Sequence, residues 1–318
     1  MRLLVQPQDS SLSSCVNITV SDITFDGQGN TVDGVDGAGT EGINVTNPSS
    51  PLGQPSNVTV RNVTATNWSF GVDYDRSDNG NVTEVNASSN EALGIRLQAS
   101  DNVGVIGNFV SGNTNAGIFV LGGNGNNVSS NNVSGNPNEG ISVSQNSFDN
   151  DIVANELTDN NAGISLSSAA SSNNITRNNA SANGDVGIVI QAVSNNNSVL
   201  DNKVIGNTGA GITISDSIGN NVTSNNASAN TDYGIRLRSS STNNDVTEND
   251  ALSNGEDGIL VTGSNDNDVL RNTLSFNTDQ GIQINANRTD IIDNNATQNN
   301  NGGIFLFDSG NNDVVDNN

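Results

Sequence analysis

Residues 71–76 read GVDYDR and carry the densest set of groups able to do chemistry in this chain. If the run is a strand, alternation turns Val72 and Tyr74 inward and leaves Asp73 and Asp75 outward, with Arg76 following. One repeat later Arg96 and Gln98 hold the equivalent places. Two carboxyl groups about 5 to 9.5 Å apart are what a glycosidase needs as acid and base. A carboxylate with a guanidinium beside it is what a polysaccharide lyase needs, to take a proton and to stabilise the enolate that results. Asp73, Asp75 and Arg96 are therefore the candidate catalytic set, with Arg76 and Gln98 as candidate ligand contacts. Cross-strand charge pairing on a solvated sheet accounts for the same residues without any chemistry.

Asp216, Arg236 and Arg238 form a second candidate ligand set, on neighbouring repeats, suited to an acidic sugar. Phe305 with Phe307, and Phe119 with Leu121, are outward apolar pairs on the same expected face. Metal and cofactor chemistry finds little support. The chain has no His, one Met and one Cys, Cys15, so no intramolecular disulfide, no cysteine-based structural metal site and no soft or imidazole copper site can be assembled. Paired carboxylates are compatible with Ca2+, but residues 122–130, GGNGNNVSS, lack the Asp of a calcium-binding repeat. We expect no metal and no cofactor.

Positioning these groups falls to a repeat. Gly followed by Ile or Val recurs at Gly42, Gly71, Gly94, Gly117, Gly140, Gly163, Gly187, Gly211, Gly234, Gly258, Gly281 and Gly303, in steps of 22 to 24 after a first step of 29. A fixed period of this length means stacked units. Within a unit the apolar residues alternate over short runs, as at Ile141 and Val143, then Ile152, then Leu157, separated by Asn, Ser, Gly and Asp. Period two indicates strands, and the polar residues between them form corners. Three strands and three corners use up one period. Asn recurs with the same period, in one file from Asn108 to Asn317 and in another from Asn67 to Asn299, and stacked amides can donate to one neighbour while accepting from the other.

On these residues the chain resembles the right-handed parallel β-helix repeat proteins, the superfamily that includes pectate lyases and NosD-type proteins. Residues 23–34, ITFDGQGNTVDG, are similar to a first coil of such proteins, and the phrase GIxVxxS…NxVxxNxxSxN is similar to their repeat. The resemblance implies an all-β, single-stranded right-handed parallel β-helix of about 12 coils of about 23 residues. It also implies a substrate groove on the outer face of the first strand stack wherever a member is a polysaccharide lyase, and a surface location shared with similar repeats in halophilic archaea. Residues 1–22 are expected to be a strand or cap segment, and residues 23–318 the helix, with an inserted loop at 46–57 that holds three of the five prolines.

The charge narrows the partners. With 34 acidic residues against ten basic ones the formal net charge is −24. No basic block exists to neutralise phosphates, which argues against nucleic acid, while an acidic surface suits high ionic strength. No stretch approaches the ~20 apolar residues of a membrane span, and residues 1–14 lack a signal-peptide core. The relatives implied by the resemblance are exported, which points to a wrongly assigned start or a shortened sequence. Sixteen Asn-x-Ser/Thr sequons occur, and most are expected to be ladder amides closed to modification. The reading is a non-catalytic, extracellular or cell-surface β-helix that binds polysaccharide or neighbouring surface components. The alternative is a polysaccharide lyase or glycoside hydrolase on the first-strand face.

Overall fold

A computed structural model describes residues 14–35, 37–47 and 53–318, in two compact units, Met1–Asn160 and Asn161–Asn318. Both units are all-β parallel solenoids, and no helix occurs among the described residues. Six strands of the first-sheet type open turns in the first unit and seven in the second, about 13 turns in all. That is one more than the glycines count. The additional strand, Ser14–Ile18, pairs in parallel with Glu41–Val45, Val16 opposite Ile43, and carries no Gly-Ile signature.

Each turn returns its apolar residues to the same place. In the first unit Ile43, Val72, Ile95, Ile118 and Ile141 stand in register, followed two residues on by Val45, Tyr74, Leu97, Val120 and Val143, all with no exposed surface. In the second unit Ile188, Ile212, Ile235, Ile259 and Ile282 repeat the arrangement. One long strand completes each of the first three turns of the first unit, as Thr59–Thr66 does, and two shorter strands complete each of the last three, for example Asn127–Ser129 and Asn132–Ser134. In the second unit the third strand shrinks to single bridges, such as Lys203 to Asn226 and Asn226 to Asp250. The glycine file has a steric cause: a Cβ at Gly71 would lie 2.7 Å from Gly94 O and 2.9 Å from Asn90 Nδ2. The corner leaves no room for a side chain.

Buried asparagine ladders tie the corners together. The N–H of Asn113 donates to Asn136 Oδ1 at 3.0 Å, and Asn113 Nδ2 donates to the same oxygen at 3.1 Å and to Ala87 O at 3.1 Å. The file expected from Asn67 starts instead at Asn90. The ladder position one turn earlier belongs to Trp68, whose N–H donates to Asn90 Oδ1 at 3.2 Å and whose indole N–H donates to Val32 O at 3.1 Å. Asn67 lies beside the ladder, in the left-handed region at φ 60°, with its Nδ2 donating to Asp33 Oδ1. The sequence period is 23, but this step is one residue shorter.

A third ladder escaped the sequence reading. It links Asn126 to Asn150 in the first unit and Asn173, Asn197, Asn220, Asn244 and Asn267 in the second. The sequons also sit differently from expectation. Asn127, Asn132, Asn174 and Asn221 each follow a ladder asparagine and are exposed, because alternation turns the residue after a buried amide outward.

The third ladder is interrupted at Thr289, which is fully buried and whose Oγ1 has no hydrogen-bond partner, although its own N–H donates to Asn312 Oδ1 at 2.8 Å. Thr289→Asn restores an acceptor for the Asn267 N–H and is expected to stabilise the protein by about 1 kcal/mol. Urea unfolding of the two proteins side by side checks this, and a destabilised variant would show that the corner cannot hold the longer amide.

Candidate functional site

The strands Glu41–Val45, Phe70–Asp75 and Leu93–Gln98 lie side by side in the first sheet of the first unit. Their register aligns Glu41 with Phe70 and Leu93, Asn44 with Asp73 and Arg96, and Asp75 with Gln98. Val72 and Tyr74 point inward, with the Tyr74 hydroxyl donating to Val58 O at 3.0 Å. Asp73 and Asp75 therefore face outward together, and one turn on Arg96 and Gln98 meet them.

Facing outward does not leave Asp73 open. Arg96 Nε donates to Asp73 Oδ1 and Arg96 Nη2 to Asp73 Oδ2, both at 2.7 Å, and the guanidinium carbon sits 3.9 Å from the centre of the Phe70 ring. This fork-to-fork pair, stacked on an aromatic face, covers the carboxylate until only 2% of Asp73 is exposed. Burial raises the Asp73 carboxyl above the usual carboxylate range, while the Arg96 hydrogen bonds and charge pull it back. Asp75 is more open. It accepts from Arg76 Nε at 3.2 Å, from Arg76 Nη2 at 3.0 Å and from Gln98 Nε2 at 3.3 Å.

Two members of this cluster were not legible beforehand. Phe70 supplies the platform under Arg96, and Glu41 supplies a third carboxyl. Burial first, and the Asp73 charge second, push the Glu41 carboxyl up to about 7, with Arg96 opposing. Both residues immediately precede a file glycine, at the corner where simple alternation from the Gly-Ile pair stops being a guide. The signal available was the column itself, which reads Glu41, Phe70, Leu93, Ala116 and Glu139.

Because the folded-state pKa of Glu41 lies above its unfolded value of 4.5, its contribution to stability is fully present below pH 4.5 and is lost as pH rises through about 7. Glu41→Gln is accordingly expected to match the parent near pH 4.5 and to exceed it at pH 8.5. The gain is about 1–2 kcal/mol once partial solvent exposure is allowed for. Thermal unfolding at the two pH values measures it, with Glu139→Gln as the control for losing one negative charge.

The proline loop lies only partly in view, since Pro48 and Pro51 fall outside the described residues. Its base is pinned by Gln54, whose Oε1 accepts from the Asn47 N–H at 2.8 Å and whose Nε2 donates to Asn47 O at 3.1 Å. An open polar groove of about 480 Å³ lined by Asn67, Ser89, Asn90, Glu91, Gly112 and Thr114 contains none of the candidate residues.

In the second unit Arg236 and Arg238 share the outer face of Ile235–Arg238, opposite Thr213 and Ser215 of the preceding strand. Asp216 is not gathered to them. It begins the corner after that strand, at φ 50°, and meets Arg238 through the main chain, its N–H donating to Arg238 O at 3.4 Å. Neither arginine forms an ion pair among the described residues. Phe305, on the last described first-sheet strand, Gly302–Leu306, and Phe307, one residue past its end, do stack, with ring centroids 5.6 Å apart.

The family model described as the right-handed beta helix region matches residues 10–157 and 41–204. A second model, the periplasmic copper-binding protein (NosD), matches residues 169–274 and 239–318. The donor set does not fit copper: there is no His, and no group of three or more His, Cys, Asp or Glu among the described residues is placed to hold a metal ion. No curated protein matches the sequence.

Solved structures match at low identity. A variant of the periplasmic alginate epimerase AlgG aligns with a TM-score of 0.62 at 16% identity, over 83% of this chain and 76% of its own. The mannuronan C-5 epimerase A-module from Azotobacter vinelandii aligns with a TM-score of 0.63 at 14% identity, over 82% and 86%. DFA-IIIase from Arthrobacter chlorophenolicus aligns with a TM-score of 0.60 at 17% identity, over 73% and 67%. At such identities the likeness concerns the fold. With a parallel solenoid of about 13 turns and a family match over more than half its length, the chain belongs to the right-handed β-helix family.

Proposed function

We propose that this protein is an exported or cell-surface β-helix that binds saccharide without turning it over, on the outer face of the first sheet around Phe70, Asp75, Arg76 and Gln98. The observation that carries the reading is the closure of Asp73 by Arg96. A carboxylate that accepts both arms of a guanidinium at 2.7 Å and is 2% exposed cannot reach a substrate proton, and the same contact occupies Arg96. What remains at least partly exposed is Phe70, the Asp75 carboxylate, the Arg76 guanidinium and the Gln98 amide. Such groups recognise sugar hydroxyls and pack against sugar rings.

Alginate and mannuronan epimerases and a tailspike protein share the fold, which supports saccharide as the ligand class. The periplasmic description of the second family model supports export, and the acidic surface supports use at high ionic strength.

One observation favours catalysis instead. Glu41, pushed up to about 7 beside Asp73 and Arg96, has the proton affinity of a group that works at neutral pH. The test is therefore double. A glycan array read against the parent and Arg76→Gln is expected to show binding that weakens about tenfold in the variant. A reducing-sugar and unsaturated-uronide assay over a panel of acidic polysaccharides is expected to show no turnover. Turnover that disappears in Glu41→Gln, Asp73→Ala or Asp75→Ala would overturn the non-catalytic reading.

A further inference from the structure

Arg236 and Arg238 are an anomaly in a protein of net charge −24. Five other arginines are paired with a carboxylate, Arg61, Arg76, Arg96, Arg271 and Arg288; Arg177 is not, and neither are these two, which alone among the described arginines stand side by side on one strand face. Their Nε atoms are nonetheless buried and have no hydrogen-bond partner. A half-buried guanidinium whose Nε–H is shielded and unmatched is costly, and a buried unsatisfied donor calls for a reason.

The surroundings hold the pair in place without neutralising it. The Arg236 guanidinium carbon lies 5.0 Å from the centre of the Tyr233 ring, a cation–π seat that fixes its plane. The acids nearby sit at the corner: Asp232 feels the Arg236 charge, and Glu256 is engaged by the Tyr233 hydroxyl. On the strand face itself the neighbours are the hydroxyl residues Thr213 and Ser215 on one side and apolar Leu260 on the other. Two guanidinium groups two residues apart thus share one strand face with the half-buried Ser215 and the buried Thr213, and all four side chains carry N–H or O–H donors.

We propose that Arg236 and Arg238 form an oxyanion site in the second unit, which takes the carboxylate or sulfate group of a charged saccharide. The site is separate from the Asp73 cluster and does not depend on the function proposed for it. Both arginines donate to the anion, Thr213 and Ser215 supply hydroxyl contacts, and the Tyr233 ring holds Arg236 in position. Recognition rests on the forked geometry as well as on charge, so lysine is a poor replacement.

Isothermal titration calorimetry with three tetrasaccharides, one of uronate units, one sulfated and one neutral, tests this. The parent is expected to bind at least one of the charged probes and not the neutral one. Which charged probe binds distinguishes carboxylate from sulfate. Arg236→Gln and Arg238→Gln are each expected to weaken that binding by at least about tenfold, and Arg238→Lys to recover only part of it. Circular dichroism and an unchanged Tm establish that the variants are folded. Arg271→Gln, which removes an exposed guanidinium paired with Glu248 and belonging to neither proposed site, is expected to leave this binding unchanged. If charged-probe binding survives in the Arg236→Gln/Arg238→Gln double variant, or if neither charged probe binds the parent, the site does not exist. Loss in Arg76→Gln with the double variant intact would sink this site while leaving the first-unit reading standing.

Discussion

An Asn131→Leu variant is expected to lose about 3 kcal/mol or more of stability, although leucine nearly matches asparagine in size and is the more hydrophobic. Asn131 Nδ2 donates to Val105 O at 2.8 Å and to Asn155 Oδ1 at 2.9 Å, while its Oδ1 accepts from both the N–H and the Nδ2 of Asn108, each at 2.9 Å. Leucine removes all four contacts from a site that is 1% exposed, where water cannot substitute. The Asn108 N–H then stays buried without an acceptor, which costs about 1–3 kcal/mol on its own. Urea denaturation monitored by far-UV circular dichroism measures the loss. A variant within 0.5 kcal/mol of the parent, roughly the range of ordinary surface changes, would mean that the ladder is ornament.

Arg96→Met should be about as damaging, and in a pH-dependent way. The substitution keeps an apolar side chain over Phe70 but leaves the Asp73 carboxylate covered and uncompensated, a situation that costs about 3–5 kcal/mol near neutral pH. Burial already raises the Asp73 pKa, and removing Arg96 removes the two influences that pull it back. A carboxyl whose folded pKa is raised contributes stability that is full below its unfolded pKa and is lost as pH rises through the folded one. The deficit of Arg96→Met is therefore expected to shrink between pH 7.5 and pH 4.5. Adding Asp73→Asn is expected to return most of it at pH 7.5, because an amide needs no counter-charge. If the single variant is equally unstable at both pH values, the loss comes from packing and not from the stranded carboxylate.

The stack was legible in the sequence because its causes are local and repeated. A Cβ at Gly71 collides with the next turn, and alternation buries Ile141 and Val143, whichever turn they belong to. The ladders were legible where the step stays near 23. Asn67 was misplaced because Trp68, a residue of quite different type, meets the same hydrogen-bonding need with its indole N–H. The site was legible in direction but not in environment. That Asp73 faces outward follows from Val72 and Tyr74 facing inward, yet its burial depends on Arg96 lying across Phe70, a contact between adjacent turns. Glu41 reaches Asp73 diagonally, from the residue before a glycine, and no periodicity announces a diagonal.

The asparagine ladders also bear on how such a chain changes length. Excising residues 212–234 would remove one whole turn and bring Asn197, Asn202 and Asn207 opposite Asn244, Asn249 and Asn254. Amide would still meet amide at all three corners, and Gly211 would run directly into Ile235. Because each turn contacts only its neighbours, its loss leaves the remaining interfaces intact. Copy number can therefore change without breaking the ladders, although this particular excision would also take Thr213, Ser215 and Tyr233 from beside Arg236 and Arg238. The groups on the outer face, Arg236 and Arg238 among them, travel with their turns as cassettes.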